Sequence, residues 1–116
     1  MNINPMMKAV GEAVGYPCKQ DIYEGKEDKF IVFSYEDERA SYYADNDEEE
    51  ITVKIQVQFI TPQKYNYFAD KKLIKQALKD QGFTVEHIET WLDDVAAGTD
   101  RARRTIFSCY YTGADN

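Results

Sequence analysis

Hydrophobic and polar residues alternate strictly between Ile51 and Thr61, which is the clearest pattern in the chain. Every second residue is apolar, namely Ile51, Val53, Ile55, Val57 and Phe59. Because successive side chains of a strand point to opposite faces of a sheet, the pattern predicts a strand with one buried and one polar face. Pro62 ends this strand.

Two segments have helical periodicity. Asn4 followed by Pro5 predicts a helix with Asn4 as its N-cap, and Gly15 ends this first helix. A second helix is predicted from Tyr65 to Gln81, with lysines on its solvent side. Its apolar stripe consists of Phe68, Leu73, Ile74, Ala77 and Leu78.

Three further strands are predicted. The compact apolar run 29–35 is typical of an interior strand, the more polar segment 83–92 of an edge strand, and the segment 105–112 closes the sheet. The charged stretch after residue 35 predicts a turn, with an optional short strand around Tyr42 and Tyr43. Residues 93–104 are expected to form a mobile loop.

This order of elements predicts one α+β domain over residues 1–116. Strands joined by short turns favour antiparallel pairing, and the strand–helix–strand passage permits one parallel neighbour. We therefore expect a mostly antiparallel or mixed sheet of four to five strands with two helices packed on one face.

Charge and hydropathy narrow the classes of partner. Lys and Arg total 14 against 21 Asp and Glu, a formal net charge of −7, which repels phosphate backbones and makes sequence-specific nucleic-acid binding unexpected. No window approaches the run of about 20 apolar residues that a membrane helix needs. The N-terminal segment lacks the apolar run of a secretory signal, so we expect synthesis and folding in the cytoplasm.

The sequence carries no recognisable catalytic or cofactor motif. The single histidine, His87, has no cysteine or second histidine at ligand spacing, and Cys18 and Cys109 belong to no metal or redox motif. Ser34 and Ser108 lie in predicted strands without a nucleophile elbow, and no phosphate-binding glycine motif occurs. We expect no catalytic residues, no cofactor and no metal, and therefore no enzyme.

Two charged clusters are the candidate interaction sites. The acidic cluster consists of Asp45, Asp47, Glu48, Glu49 and Glu50. It is typical of a solvated hairpin tip, and weak cation binding or contact with a basic partner stays open, although Glu50 stands where a calcium loop needs glycine. The basic cluster, Arg101, Arg103 and Arg104, fits either a solvated loop or a contact with another subunit. Tyr42 and Tyr43 suit either an interface or the core.

The layout of nearly the whole chain resembles the small tail-completion proteins of long-tailed phages and prophages. This family includes tail terminators and is similar in fold to head-to-tail joining proteins. Two segments carry the resemblance: the strand with its charged turn, FIVFSYEDERA, and the alternating strand ITVKIQVQFITP that leads into a lysine-rich helix ending at Gly82.

The resemblance implies a non-catalytic protein that forms a ring, commonly of six copies, and contacts tail-tube and head-connector proteins. It implies a location in the cytoplasm of a bacterial host during assembly and then in the virion tail. Rings use heterologous interfaces, so one hypothesis pairs the acidic cluster of one copy with the basic cluster of the next. The alternative is a small acidic immunity or inhibitor protein that covers a basic site on its partner.

Overall fold

The structure is a computed structural model that describes residues 2–42, 49–93 and 102–114. Within these ranges the chain forms two helices, α1 (Asn4–Val14) and α2 (Phe68–Asp80), and five strands. The strands are β1 (Cys18–Gln20), β2 (Phe30–Tyr42), β3 (Glu49–Pro62), β4 (Thr84–Leu92) and β5 (Ala102–Ala114).

The strands form one sheet in the order β1-β2-β3-β5-β4. Three of its four neighbouring pairs are antiparallel, and β1 with β2 is parallel, which confirms the predicted α+β class and the mixed, mostly antiparallel sheet. The parallel pair is not at the strand–helix–strand passage. There β3 and β4 do run in the same direction, but β5 lies between them because it pairs with β3 along its whole length.

The alternation along β3 is confirmed, because its five apolar residues from Ile51 to Phe59 are all buried. They share one face of the sheet with Ile31 and Phe107 on the neighbouring strands. Both helices cover this face through their own apolar residues, which are Met7, Val10, Ile74, Ala77 and Leu78. Full burial of one such large side chain contributes roughly 1.5 to 3 kcal/mol, so this helix-covered face holds the fold together.

β2 is longer than the sequence predicts, because it continues through the expected charged turn to Tyr42. The extension pairs with the first part of β3, and Arg39, for example, pairs with Thr52. A register shift between Tyr35 and Asp37 leaves one extra residue in β2, which is a β-bulge. The optional strand around Tyr42 is therefore the end of β2, and Tyr43 lies outside the described residues.

β4 and β5 also differ in detail from the prediction. β4 is an edge strand, as predicted, but a register shift between Val85 and His87 places Val85 on the helix-covered face and His87 on the opposite, open face. β5 begins at Ala102, so Arg103 and Arg104 are strand residues and not part of a loop. The rest of the expected loop, 94–101, is outside the described ranges.

The N-cap of α1 and the set of buried residues in α2 differ slightly from the prediction. Ile3, not Asn4, is the N-cap of α1; the Asn4 side chain instead donates to Gln20 Oε1 at 3.0 Å and accepts from the Tyr35 hydroxyl at 2.7 Å. In α2, Phe68 and Leu73 are 59% and 55% exposed, so the predicted apolar stripe was too wide. Phe68 is the first residue of the helix, where it stacks on Tyr67 instead of reaching the core.

Gly11 lies where α1 approaches the start of the sheet. A Cβ atom at this position would lie 2.7 Å from Cys18 Cβ and 3.1 Å from the carbonyl oxygen of Tyr16. Neither neighbour is the far end of a flexible side chain. The absence of a side chain at Gly11 therefore allows α1 to pack directly on β1.

We expect Gly11→Ala to lower the free energy of unfolding by roughly 1 to 3 kcal/mol, because the added methyl group overpacks this contact. At an ordinary helix position the same change would stabilise by about 0.5 to 1 kcal/mol, so the sign of the effect is diagnostic. Urea denaturation provides the measurement, and Ala13→Gly at an exposed position of α1 measures helix propensity alone. A stabilised Gly11→Ala protein would contradict the close packing.

Candidate interaction site

The described members of the acidic cluster lie at the start of β3. Glu50 is half-buried and pairs with Ala114 at the end of β5, and the backbone of Glu49 pairs with Tyr42. The other predicted residues of this end are outside the described residues, namely Tyr43, Asp45, Asp47 and Glu48. Arg101 of the basic cluster is outside them too.

The described arginines of the basic cluster lie at the opposite end of the sheet. Arg103 pairs with Thr61, and Arg104 with Ile60, near the end of β3. Eleven residue steps separate Glu50 from Thr61, which is roughly 36 Å at about 3.3 Å per residue. The structure therefore does not bring the two clusters together within one chain.

Arg103 and Arg104 are neighbours in a strand, so their side chains leave on opposite faces of the sheet. Arg104 is on the open face, where Nε and Nη2 donate to the two carboxylate oxygens of Asp93 at 3.1 and 2.9 Å. Nη1 of Arg104 also donates to Gln58 Oε1. Arg104 is therefore already engaged with groups of its own chain.

The pairing with Arg104 changes the acidity of Asp93. The hydrogen bonds from the guanidinium hold the pKa of Asp93 below its usual value, and the nearby positive charge adds to this effect against the opposing effect of burial. A backbone hydrogen bond from Asp93 N–H to the Ala102 carbonyl, at 2.8 Å, keeps the two strand ends together. This arrangement fixes the end of β4 against the start of β5.

Arg103 is on the helix-covered face, where it meets the start of α2. Its guanidinium carbon lies 5.1 Å from the centre of the Tyr67 ring, a distance typical of a cation–π contact. Lys71 also approaches this ring at 5.9 Å, and the ring of Phe68 at 5.4 Å. We call Thr61, Tyr67, Lys71 and Arg103 the Arg103 cluster.

A neighbouring set of hydrogen bonds positions the start of α2. The hydroxyls of Tyr16 and Tyr65 both donate to Asp70 Oδ2, at 2.7 and 2.5 Å. Burial, followed by the hydrogen bond to Asp70, raises the pKa of Tyr16 above its usual range. These contacts join the end of α1 to the first turn of α2, and so hold Tyr67 over β5.

Three members of the Arg103 cluster were missed from the sequence. Tyr67 and Lys71 were seen only as parts of a helix, and Thr61 only as the end of a strand. Their meeting with Arg103 depends on the register of β3 with β5 and on how α2 packs. No pattern of residues in the sequence indicates this register or this packing.

The histidine and the two cysteines lie apart from the Arg103 cluster and from one another in the chain. His87 is exposed, and its Nε2 lies 3.0 Å from Glu89 Oε1. Cys18 and Cys109 are free, and burial raises the pKa of both thiols to about 12. Over residues 2–42, 49–93 and 102–114, no group of three or more His, Cys, Asp or Glu residues is arranged to hold a metal ion. No helix in these ranges is long and apolar enough to cross a membrane.

Comparisons with known proteins add little to this picture. No protein-family model matches the chain, and no curated protein sequence matches it. Among solved structures, the chain is similar to a chain from the virion of a native gene transfer agent particle. The match covers 96% of this chain and 92% of that chain, with 14% sequence identity and a TM-score of 0.46. A likeness at that identity and TM-score is too distant to decide a role.

We expect Asp93→Asn to lower the free energy of unfolding by about 0.5 to 1 kcal/mol at neutral pH, because about a third of each side chain of the pair is exposed. The folded pKa of Asp93 is depressed, so its contribution is complete above the unfolded value of about 4 and is lost as the pH falls through the folded value.

Denaturation from pH 8 to pH 2 is the measurement for this prediction. The difference between the parent protein and Asp93→Asn should stay constant down to about pH 5 and shrink in more acidic solution. Glu24→Gln, at an exposed position, is the matched control and should show little difference. A gap for Asp93→Asn that stays the same at every pH would refute the assignment.

Proposed function

We propose that this chain is a non-catalytic structural protein of a phage or prophage particle, a tail-completion or head-to-tail joining protein that acts as a ring. The observation that carries the proposal is the placement of opposite charges at opposite ends of one sheet. Glu49 and Glu50 begin β3 at one end, and Arg103 lies near the start of β5 at the other. Arg104 lies at this second end too, but Asp93 balances its charge.

Opposite ends of opposite charge favour head-to-tail contact. In a two-fold dimer the same patch meets itself, which would bring like charges together, whereas a heterologous contact joins one patch to a different patch on the next copy. Repeated contacts of this kind close into a ring when the rotation between copies permits. The charge placement therefore supports a ring over a two-fold dimer built on these ends.

The dimensions of the chain suit an element that spans between neighbours. Its radius of gyration is 15.9 Å, against roughly 13 Å for a compact domain of about this size. Its principal extents are 61 × 26 × 24 Å. The elongation follows the long strands β2, β3 and β5, so the two charged ends are also the far ends of the molecule.

The resemblance to tail-completion proteins supplies the rest of the proposal. The ring would contain six copies at the head-proximal end of the tail, where it stops growth of the tube and contacts the head connector. The net charge of −7 favours free passage of DNA through such a ring, because like charges repel. The cytoplasm of a bacterial host would be the place of assembly.

Electron microscopy and sedimentation velocity of the purified chain over a range of concentrations test this proposal. We expect rings at high concentration, or attachment to the ends of tail tubes when these are supplied. A chain that neither forms rings nor attaches to tube ends would refute the proposal. Tight one-to-one binding to a basic enzyme by such a chain would instead support an immunity or inhibitor protein.

The acidic end offers the sharper mutational test, because Arg104 is already paired with Asp93. We expect the double change Asp47→Lys and Glu48→Lys to abolish ring formation by removing most of the negative charge at one side of the contact, with an unchanged circular dichroism spectrum. The double change Glu12→Lys and Glu24→Lys alters the net charge equally at exposed positions of another region, and should still assemble. Equal assembly of both proteins would rule out the charge pairing.

A further inference from the structure

Two buried polar atoms of the Arg103 cluster have no hydrogen-bond partner among the residues that the structure describes. They are Thr61 Oγ1 and Arg103 Nε, and Thr61 as a whole is only 1% exposed. The two residues are directly opposite each other across β3 and β5, on the same face of the sheet. Both unpartnered atoms therefore belong to one place in the fold.

The hydrogen-bonding chemistry of these two atoms indicates which kind of partner would satisfy them. An arginine Nε–H only donates, and a threonine hydroxyl can donate as well, so a single acceptor group between them would satisfy both. Buried polar groups in folded proteins are nearly always hydrogen-bonded, and a buried donor without a partner is destabilising. A group with acceptor oxygens is thus the complement of this pair.

The charges around the pair favour a negatively charged acceptor. Arg103 and Lys71 both lie at the Tyr67 ring, and neither forms a salt bridge with a carboxylate of the described residues. Tyr67 is also the N-cap of α2 and provides no side-chain cap, so the positive end of the helix dipole lies here. Asp70, the acidic residue of this first turn, is held by the hydroxyls of Tyr16 and Tyr65.

A groove of about 420 Å³ at this end of the sheet opens on the other face, where Phe30, Ile60 and Arg104 line it together with Asp28 and Asp93. Arg103 is not part of its lining. The Arg103 side chain is itself half-buried, not enclosed. A segment of another chain would therefore approach Arg103 from the helix-covered face, through the part of the Arg103 side chain that is exposed.

We propose that the Arg103 cluster is a carboxylate-binding site, and that its occupant is the acidic segment Asp45–Glu50 of a neighbouring copy. The identity of the occupant rests on the proposed function, and charge complementarity supports it, because this segment carries five carboxylates in six residues. A carboxylate binds side-on to an arginine through two parallel N–H bonds, which would include the buried Nε. Arg104 is not the receptor, because Asp93 already occupies its guanidinium in this way.

A synthetic peptide with the sequence of residues 44–50, capped at both ends, is the probe. It is titrated into the dilute full-length chain while the ¹H–¹⁵N signal of Arg103 Nε is followed by NMR. We expect this signal to move in a saturable way, and the same peptide with amides in place of its carboxylates to have no effect. An Arg103 Nε signal that stays still, or an equal response to the amide peptide, would overturn the site.

Three variants make the test specific. Arg103→Gln should weaken peptide binding at least tenfold, whereas Arg39→Gln, at an arginine whose side chain is 81% exposed on the open face, should leave it unchanged. Thr61→Val should raise the Tm of the free chain by a few degrees, because it removes an unsatisfied hydroxyl, and yet weaken peptide binding severalfold. A Thr61→Val protein with a lower Tm and unchanged binding would show that the hydroxyl serves the fold alone.

The outcomes separate this site from the proposed function. Peptide binding at Arg103 by a chain that never forms rings or attaches to tube ends would support the site and refute the ring. Rings that form equally well with Arg103→Gln would refute the site as the contact between copies and leave the ring intact.

Discussion

The fold depends on the alternation of side chains along β3, the strand in the middle of the sheet. Each of its apolar residues from Ile51 to Phe59 points to the side covered by both helices, and each residue between them points to the open side. A slip of one residue would exchange the two faces and place the polar row under the helices. The register of β2 and β5 is therefore fixed by β3, and the placement of the charged groups on these three strands follows from that register.

The separation of charge is a consequence of antiparallel pairing. Glu49 and Glu50 begin β3 and Arg103 and Arg104 lie at the start of β5, and because these strands are antiparallel their first residues lie at opposite ends of the sheet. Because successive residues of a strand point to opposite faces, the two described arginines of the basic cluster, Arg103 and Arg104, lie on different faces of the sheet. Arg104 forms a salt bridge with Asp93, while Arg103 lies over the Tyr67 ring and forms no salt bridge with a carboxylate of the described residues.

The predictability of each element reflects how much of its stability is local. The strand β3 and the central part of α2 were predicted because the periodic pattern of apolar residues lies within each segment itself. β1 was not predicted, since three residues carry no periodic pattern and the strand exists only through its pairing with β2. The extension of β2 was read as a turn because its charged residues obscure a strand whose length is set by β3. The Arg103 cluster is less predictable still, because it requires the register of two strands and the position of a helix.

The edge of β2 that faces away from β3 affects how single copies behave before any assembly takes place. β1 covers only Ile31 to Phe33, so the rest of this edge has no strand beside it within the described ranges. An uncovered edge can recruit the backbone of any other extended chain, and charged residues and bulges are the usual protection against this. Here the sequence EDER and a bulge occupy the uncovered stretch. These two features disfavour indiscriminate strand pairing between newly made copies, and with it the nucleation of fibrils.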